Sequence, residues 1–325
     1  MNAKIPDTMR AAAIDRFGDA ERITLQTLPV PKAGPDEIVI RVETAGVAVW
    51  DTLEREGGFA EMFGLKPVFP YVLGTDGAGT VAALGEQVTR FHEGDRVCAS
   101  VLVNPKGGFY AEYAVANSDN AMHVPDKLAT EQAGVMLSDA LTGLQGLDDV
   151  LALKRDETIM IFGAGGGIGH LAVQLAKRMG ARVFAVASGD DGVALAQRLG
   201  ADAVVNGRTS DVTAAARDFA SGGLDAALLT AGGDAADRAL ASVRAGGRAA
   251  FPIGVMPEPK IPSEVRQGTY NATINREAIE KLKHLIEAGP FEVHVARTFP
   301  LGNAAEAHRA LSQHYLGKLA LRVSA

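Results

Sequence analysis

The chain has 325 residues, of which 47% are apolar and 22% charged, and its formal net charge is −7. This length and ordinary composition predict two medium-sized domains, and they exclude a disordered chain or a disulfide scaffold. The negative charge, without a long basic run, argues against nucleic acid or an anionic membrane as a partner. One cysteine, no apolar leader and no apolar run of membrane-spanning length lead us to expect a soluble, cytoplasmic protein.

Short apolar runs separated by Gly, Pro and Asp fill the first third of the chain. They are IVIRVETAGVAV (38–49), GAGTVAALG (77–85), GDRVCASVLV (94–103) and YAEYAVA (110–116). This spacing predicts short strands in a curled antiparallel sheet or small barrel.

The middle of the chain alternates strand and helix patterns. Strands are predicted at 158–162, 182–187, 203–205, 225–230 and 248–253. Such alternation is typical of a parallel, doubly wound sheet. A proline-rich segment (257–268) then precedes a predicted helix at 276–288, and the closing GKLALRV (317–323) is a predicted strand that returns to the first domain.

A glycine-rich turn, GAGGGIG (163–169), joins the first of these strands to an amphipathic helix. Its glycines permit a sharp turn, a close backbone approach to phosphates, and tight packing of helix against strand. A merely flexible loop is the alternative, but the five predicted strands around the turn argue against it. We therefore predict a pyrophosphate site at the helix N-terminus. Its contacts are expected from Gly163, Gly165, Gly166, Gly167, Ile168 and Gly169.

The second strand of this region ends in AVAS (185–188), where such folds contact the adenosine ribose. An acid there favours NAD, whereas Ala187 and Ser188 leave room for a 2′-phosphate. Arg208 is the nearby cation that could bind this phosphate. The acids Asp190 and Asp191 argue against a phosphate there. Ser188 and Arg208 therefore predict a modest preference for NADPH, with NADH still possible.

Motifs in the same order along nearly the whole chain carry a family resemblance. They are AGVAVWDTL, FPYVLGTDGAGTVAALGEQVTRFHEGDRV, GGFYAEYAVA, FGAGGGIGHLAVQLAKRMGARV, LGADAVVN, RAGGRAAFPIG and GKLALRV. Together they resemble the medium-chain dehydrogenase/reductase superfamily, and within it the zinc-free quinone oxidoreductase branch.

The resemblance implies an α/β protein with a GroES-like, β-rich catalytic domain made of residues 1–124 and 271–325. It also implies a Rossmann domain of residues 125–270, a cleft that holds a nicotinamide dinucleotide, and a homodimer. Thr142, Gly254 and Lys318 match positions of that family near the cofactor, and Asp51 and Tyr110 match its pattern in the catalytic domain.

Zinc-dependent members of the superfamily carry a cysteine where this chain has Ala48, and Gly-His-Glu where it has Gly74, Thr75 and Asp76. The four-cysteine structural zinc lobe is also missing. With one cysteine in the chain, the usual Cys and His ligand set cannot be built at these positions, so no zinc is expected.

Chemistry without a metal favours an acceptor that is already electrophilic. A zinc ion stabilises the alkoxide of an unactivated alcohol, whereas a quinone or an activated alkene needs mainly orientation and one or two donors. The sequence therefore predicts a zinc-independent, NADPH-dependent oxidoreductase that reduces a quinone or enone. Two alternatives stay open: a reductase of simple carbonyls, and a dinucleotide-binding protein with little turnover. The second is motivated by Ala48 and Leu53, where relatives often have polar side chains.

Two side chains are candidates for the catalytic site. Asp51 either orders that site through hydrogen bonds or caps a helix. Tyr71 either donates to a substrate carbonyl or packs within a loop.

The last strand of the Rossmann domain, near 265–270, is expected to form the homodimer interface because an edge strand exposes backbone hydrogen-bonding groups.

Overall fold

The computed structural model describes residues 4–324. The elements of the N-terminal part are β1 (Thr8–Ile14), β2 (Thr24–Pro29), β3 (Glu37–Val47), α1 (Val49–Glu56), α2 (Gly58–Phe63), β4 (Tyr71–Val72), β5 (Asp76–Leu84), β6 (Arg96–Ser100), β7 (Tyr113–Asn117), β8 (Ala121–His123) and α3 (Thr130–Ala133). The elements that follow are α4 (Leu137–Gln145), β9 (Thr158–Phe162), α5 (Gly167–Arg178), β10 (Arg182–Ala187), α6 (Asp190–Arg198), β11 (Ala203–Asn206), α7 (Val212–Phe219), β12 (Leu224–Leu229), α8 (Asp234–Ala239), β13 (Val243–Pro252), β14 (Arg266–Tyr270), α9 (Arg276–Glu287), β15 (Val295–Pro300), α10 (Ala304–Ala310) and β16 (Lys318–Arg322).

These elements form two compact units. Unit 1 comprises the chain up to Ser138, Ile274–Glu280 and the chain from Val295, and unit 2 comprises Asp139–Thr273 and Lys281–His294. The family resemblance implies a first boundary after residue 124, whereas the contacts place it after Ser138. Residues between the two positions bind unit 1, since the Arg96 guanidinium donates to the Leu128 carbonyl at 3.0 Å.

Unit 1 is built on β strands, as the spacing of apolar runs predicts. Its larger sheet has the order β15-β16-β3-β5-β6-β8, with β7 also pairing with β3, and its smaller sheet has the order β2-β1-β4. The returning strand at the C-terminal end is confirmed, because Leu319 of β16 pairs with Val47 of β3. Apolar side chains from both sheets fill one core, and Cys98 lies fully buried in the larger sheet.

Unit 2 contains a six-stranded parallel sheet in the order β11-β10-β9-β12-β13-β14. From the central strand β9, the sheet continues through β10 and β11 on one side and through β12, β13 and β14 on the other. This is the doubly wound order of dinucleotide-binding domains. The predicted strands are confirmed, although β13 begins five residues earlier than expected. The predicted helix at 276–288 is observed as α9.

The central strand β9 explains why these segments form a parallel sheet. All five of its side chains are buried, and those of β10 are buried after its first residue. Strands covered on both faces by helices carry such continuous apolar runs. Among the helices of residues 4–324, none combines the length and the apolar character that a bilayer crossing requires.

Candidate cofactor and active site

The glycine-rich turn has the geometry that a pyrophosphate site requires. Gly163 has a φ of +86°, in the left-handed region that favours glycine. A side chain there would lie 2.4 Å from the hydroxyl oxygen of Thr230. Gly166 precedes the first residue of α5, so backbone N–H groups of the first helical turn are available to an anion.

Gly169 makes the closest backbone contact in this turn. A Cβ atom there would lie 2.1 Å from the carbonyl oxygen of Gly163, so only glycine fits. The following residue, His170, is fully buried and its Nδ1 donates to the Gly166 carbonyl at 2.8 Å. Its Nε2 then accepts from the His294 N–H at 3.3 Å. His170 therefore ties the turn to the 292–294 loop within unit 2.

The adenosine end of the predicted cofactor site is organised by a residue that sequence analysis missed. The Asn206 side-chain oxygen accepts from the N–H groups of Gly189, at 3.3 Å, and Arg208, at 3.1 Å. Its amide nitrogen donates to Asp190 at 3.0 Å. Ser188 and Arg208 are both exposed at the carboxyl end of the sheet. Asn206 thus fixes the loop that carries them, and it also fixes one of the acids that oppose a phosphate.

Two further positions of the expected cofactor set lie in unit 2. Thr142 is on α4, and its carbonyl accepts from the Tyr270 hydroxyl at 2.9 Å. Gly254 follows β13 with a φ of +98° in open surroundings, since a Cβ there would meet nothing within 4 Å. Gly165, Gly167 and Ile168 lie in the glycine turn and in the first turn of α5. Their contacts with a cofactor remain predictions.

Asp51 caps helix α1 and also joins a buried hydrogen-bond network, while its role in the catalytic site stays a prediction. One carboxylate oxygen accepts from the Ala48 N–H at 2.8 Å and from the Tyr110 hydroxyl at 2.9 Å. The other accepts from the Thr75 hydroxyl at 3.2 Å. Burial raises the pKa of Asp51 to about 6, and the charge of Asp76 adds to this, while the donated hydrogen bonds act in the opposite direction.

The hydrogen bonds that link Arg55 to Asp51 all have a defined donor, and each donor points toward Asp51. Arg55 can only donate, so its Nη1 donates to His308 Nδ1 at 3.0 Å, and the proton of the neutral ring lies on Nε2. Nε2 then donates to the Tyr110 oxygen at 3.2 Å, which leaves the Tyr110 proton for Asp51. Burial, with the Arg55 charge, lowers the pKa of His308 to about 3, which keeps the ring neutral.

Tyr71 lies on the short strand β4, which pairs with β1, and it is 5% exposed. Its hydroxyl donates to Glu54 at 2.6 Å. Burial and the neighbouring carboxylates raise the pKa of Tyr71 far above its ordinary value, so the phenol keeps its proton. Tyr71 is therefore buried in unit 1 with an acid as the partner of its hydroxyl, and its donation to a substrate stays a prediction.

Lys318 lies at the start of β16 and is 3% exposed. Its ammonium group lies 5.5 Å from the centre of the Trp50 ring, and its charge lowers the pKa of Asp51. These contacts place Lys318 beside α1 in unit 1. Its expected contact with a cofactor stays a prediction.

The positions that correspond to zinc ligands hold no sulfur or imidazole. Thr75 donates to Asp51, and the Asp76 carboxylate accepts from the Ser138 hydroxyl at 2.6 Å. Because the Ser138 hydroxyl donates to Asp76, the Ser100 hydroxyl is the donor to the Ser138 oxygen, at 2.7 Å. Throughout residues 4–324, no three His, Cys, Asp or Glu side chains come together as a metal-binding group. This donor set does not fit a zinc ion.

The stretch from α1 to β4 carries seven exposed large apolar side chains. We call this group the 49–69 apolar surface. Its members are Val49, Leu53, Met62, Phe63, Leu65, Val68 and Phe69. Exposed groups of this kind commonly mark a ligand-binding surface. Tyr71 follows this stretch by two residues, and Asp51 and Glu54 belong to the helix that begins it.

Sequence analysis did not find Glu54, His308 or Asn206. Glu54 and Asp51 are three residues apart, the spacing that places two side chains on one helical face. That spacing was available from the sequence, but it does not show whether the face is buried. His308 and Tyr110 are 198 positions apart, so no local pattern relates them.

Two protein-family models match parts of the chain. A model described as an alcohol dehydrogenase GroES-like domain matches residues 34–126, and one described as a zinc-binding dehydrogenase matches residues 167–280. A curated quinone oxidoreductase of Sus scrofa is 30% identical over 332 residues, which cover 96% of this chain and 97% of the relative.

Solved structures support the same relationship. An NAD-dependent alcohol dehydrogenase is 28% identical with a TM-score of 0.88, over 97% of this chain and 100% of the other. A mycobacterial protein solved in complex with NADPH is 26% identical with a TM-score of 0.80, over 97% of this chain and 100% of the other. The descriptions of the two solved structures state different cofactors, NAD and NADPH, and the names of the first structure and of the porcine relative state different activities.

Proposed function

Because the chain belongs to the medium-chain dehydrogenase/reductase superfamily, quinone oxidoreductase-like, and is an NAD(P)H-dependent oxidoreductase, we propose that it reduces a quinone or an activated alkene with NADPH and without zinc. The sequence and the residues of the two units support this finer statement. The relatives named above support the oxidoreductase class.

The observation that carries the proposal is the side-chain set at the zinc-ligand positions. Ala48 offers no ligand atom, and the hydroxyl proton of Thr75 is directed to Asp51. Zinc requires ligands such as thiolate, imidazole or carboxylate aimed at one point. Without a Lewis acid, an acceptor that is already electrophilic is the substrate class that needs least from the protein.

The cofactor is assigned to the residues whose backbone suits it. The turn at 163–169 and the N-terminus of α5 would hold the pyrophosphate. Ser188 would donate to the 2′-phosphate, and the exposed Arg208 guanidinium would form a charge-assisted hydrogen bond with it. When bound, NADPH supplies the hydride.

The side chains of unit 1 would orient the acceptor and provide its proton. The network from Arg55 to Asp51 directs the Tyr110 proton to Asp51, and the Thr75 hydroxyl also donates to Asp51. The 49–69 apolar surface is suited to an apolar ring, because burying such side chains is favourable and excludes water. Tyr71 is the proposed donor to the oxygen of the reduced acceptor.

A substrate panel tests the proposal. Oxidation of NADPH is followed with 1,4-benzoquinone, 2-cyclohexen-1-one and cyclohexanone, and reduction of NADP⁺ is followed with cyclohexanol. Each reaction is run before and after dialysis against a chelator, with zinc measured by elemental analysis. We expect the quinone or the enone to react fastest and the chelator to have no effect. Stoichiometric zinc whose removal abolishes activity, or fastest turnover with the alcohol, contradicts the proposal.

A dinucleotide-binding protein with little turnover is the second candidate. The observation that favours it is apolar character at Ala48, which is buried, and at Leu53, which is 39% exposed. If NADPH binds tightly in calorimetry and no acceptor of the panel reacts, this second function replaces the first.

A further inference from the structure

The peptide bond between Gly166 and Gly167 lies where the proposed pyrophosphate site begins. Gly167 is the first residue of α5, and its N–H belongs to the first helical turn, whose N–H groups have no partner within the helix. In a planar trans peptide, the N–H points opposite to the carbonyl of the preceding residue. The direction of the Gly166 carbonyl therefore decides whether the Gly167 N–H is presented to a bound anion.

This peptide needs a restraint, because its residues allow it to rotate. Both residues are glycine and Gly165 precedes them, so no Cβ atom limits the backbone dihedrals on either side. The Gly166 N–H donates to the Gly163 carbonyl at 3.0 Å, which fixes the preceding peptide but not this one. A rotated peptide would direct a carbonyl oxygen, instead of an N–H, at a phosphate.

His170 supplies the restraint. The Gly166 carbonyl accepts the ordinary helical hydrogen bond from the His170 N–H at 3.1 Å and a second hydrogen bond from His170 Nδ1 at 2.8 Å. A carbonyl oxygen has two lone pairs and can accept both. The His170 side chain is fully buried, so water does not compete for this carbonyl. The side chain thus adds a second donor to the carbonyl whose direction matters.

The other side of the ring determines which nitrogen carries the proton. The Gly166 carbonyl can only accept, so Nδ1 of His170 carries a proton. The His294 N–H can only donate, at 3.3 Å, so Nε2 carries none. The two contacts together select one neutral tautomer, the one that donates to the glycine turn.

The segment that contains His294 is itself held by two helices of unit 2. The Gln174 side chain on α5 donates to the Glu292 carbonyl and accepts from the Glu292 N–H, each at 2.8 Å. The Glu292 carboxylate pairs with Arg198 on α6 at 2.8 Å. The His294 N–H is therefore a fixed donor, and it holds the His170 ring in place.

We propose that His170 is a positioning residue of the cofactor site, which holds the Gly166–Gly167 peptide so that the Gly167 N–H faces the pyrophosphate. The inference rests on the cofactor of the proposed function and is independent of the hydride acceptor. A ring that only filled the core would serve as well without nitrogen atoms. The two nitrogen contacts are what the proposal explains.

Three variants separate positioning from packing. His170→Phe keeps an aromatic ring and removes both nitrogen contacts. In His170→Asn, the amide nitrogen can replace Nδ1 as the donor to the Gly166 carbonyl. Gln174→Met is the matched control, because it removes two hydrogen bonds between α5 and Glu292 without touching the glycine turn.

Calorimetry then measures Kd for three ligands. ADP-ribose and its 2′-phosphate contain the pyrophosphate, whereas adenosine 2′-phosphate lacks it. We expect His170→Phe to bind both pyrophosphate ligands roughly tenfold more weakly, as loss of one hydrogen bond to a charged group does, and adenosine 2′-phosphate as before. His170→Asn and Gln174→Met should keep the wild-type ratio between ligands with and without the pyrophosphate.

Nitrogen NMR of the wild type adds a readout that does not depend on how the variants fold. We expect the proton of His170 on Nδ1, and a proton on Nε2 overturns the inference. An unchanged affinity ratio in His170→Phe also overturns it, as does a reduced affinity for the pyrophosphate ligands in His170→Asn or Gln174→Met. If His170→Phe does not fold, the tautomer and His170→Asn decide.

The same measurements distinguish this inference from the proposed function. If the wild type binds neither pyrophosphate ligand, the cofactor assignment fails and the role of His170 fails with it. If the wild type binds them with the expected pattern among the variants but reduces no acceptor, the proposed substrate class is wrong and the role of His170 is supported.

Discussion

At the scale of single residues, Asp51 is a buried acid that accepts three hydrogen bonds. Its carboxylate accepts from the Ala48 N–H, the Thr75 hydroxyl and the Tyr110 hydroxyl, all within 3.2 Å. An amide has only one oxygen to accept these bonds. Asp51 is therefore the position where an acid-to-amide change has the clearest consequence for stability.

We expect Asp51→Asn to lower the free energy of unfolding by about 1–3 kcal/mol, because it leaves a buried donor unsatisfied. Urea unfolding at pH 8, where Asp51 is ionised, measures this. Asp126→Asn, at an exposed position, is the control and should unfold like the wild type. An equally stable Asp51→Asn variant would show that the network tolerates an amide.

Glu54 gives a prediction about stability and pH. Its pKa is raised from 4.5 to about 7 on folding, so the folded state binds this proton more tightly than the unfolded state. The resulting stabilisation is complete below pH 4.5 and is lost as the pH rises through about 7. Its full size is on the order of 3 kcal/mol.

We therefore expect Glu54→Gln to gain stability relative to the wild type as the pH rises from 5 to 8. Paired urea unfolding curves at both pH values measure the change. Asp51 and His308 are present in both proteins, so the comparison isolates Glu54. Glu61→Gln, at an exposed position of α2, is the control and should show no such change. If the free energies of unfolding of Glu54→Gln and the wild type differ by the same amount at both pH values, the raised pKa is contradicted.

Arg208 decides the cofactor preference that we propose. Removal of one charge-assisted hydrogen bond costs about 1.5–3 kcal/mol, which corresponds to roughly a tenfold to hundredfold weaker affinity. We expect Arg208→Ala to lose this factor for NADPH and to bind NADH as before, as measured by calorimetry. Arg217→Ala, an exposed arginine on α7, is the control. Equal affinity of the wild type for both cofactors contradicts the assignment.

At the scale of elements, the glycine turn depends on one contact between the start of α5 and the end of β9. A Cβ on Gly169 would lie 2.1 Å from the Gly163 carbonyl, and this is backbone, which cannot rotate away. We expect Gly169→Ala to destabilise unit 2 by about 1–3 kcal/mol, as overpacking does, and to abolish tight NADPH binding.

Thermal unfolding and calorimetry with NADPH check this prediction. Gly222→Ala is the matched control, because a Cβ there meets nothing within 4 Å and its φ is ordinary. If Gly169→Ala binds NADPH as the wild type does, the close approach in this turn is not required for the cofactor.

The elements also show what the sequence can predict and why. Strands β9 and β10 were predictable because they are continuous apolar runs that helices cover on both faces. Helix α1 was not, because its buried side chains include Asp51 and Glu54 while Val49 and Leu53 are exposed. Apolar periodicity assigns the opposite face to the core, and only the long-range contacts with Tyr71 and Tyr110 reverse it.

The same limit applies to the cofactor site. The turn at 163–169 could be located because glycine is required by backbone geometry, which is a local property. The role of Asn206 could not, because it depends on the register between β10 and β11, where Ala187 pairs with Asn206. Pairing between strands brings Asn206 to Gly189 and Asp190, and no spacing within one segment encodes that contact.

At the scale of the whole molecule, β14 is the feature that points to assembly. It ends the sheet of unit 2, and within residues 4–324 no other strand pairs with its outer edge. Gln267 and Thr269 are exposed on it. An uncovered edge of this kind can pair with another strand, and a two-fold axis would place each β14 beside its copy.

We expect a homodimer through this edge, and the double variant Gln267→Glu/Thr269→Glu to dissociate it. A two-fold interface brings both new charges next to their copies, and like charges on paired strands repel. Light scattering at micromolar concentrations should give the mass of a dimer for the wild type and of a monomer for the variant. The control is Gln87→Glu/Thr89→Glu, which makes the same two changes at exposed positions two residues apart in unit 1. A wild type that is monomeric throughout this range, or a control that dissociates equally, shows that β14 is not the interface.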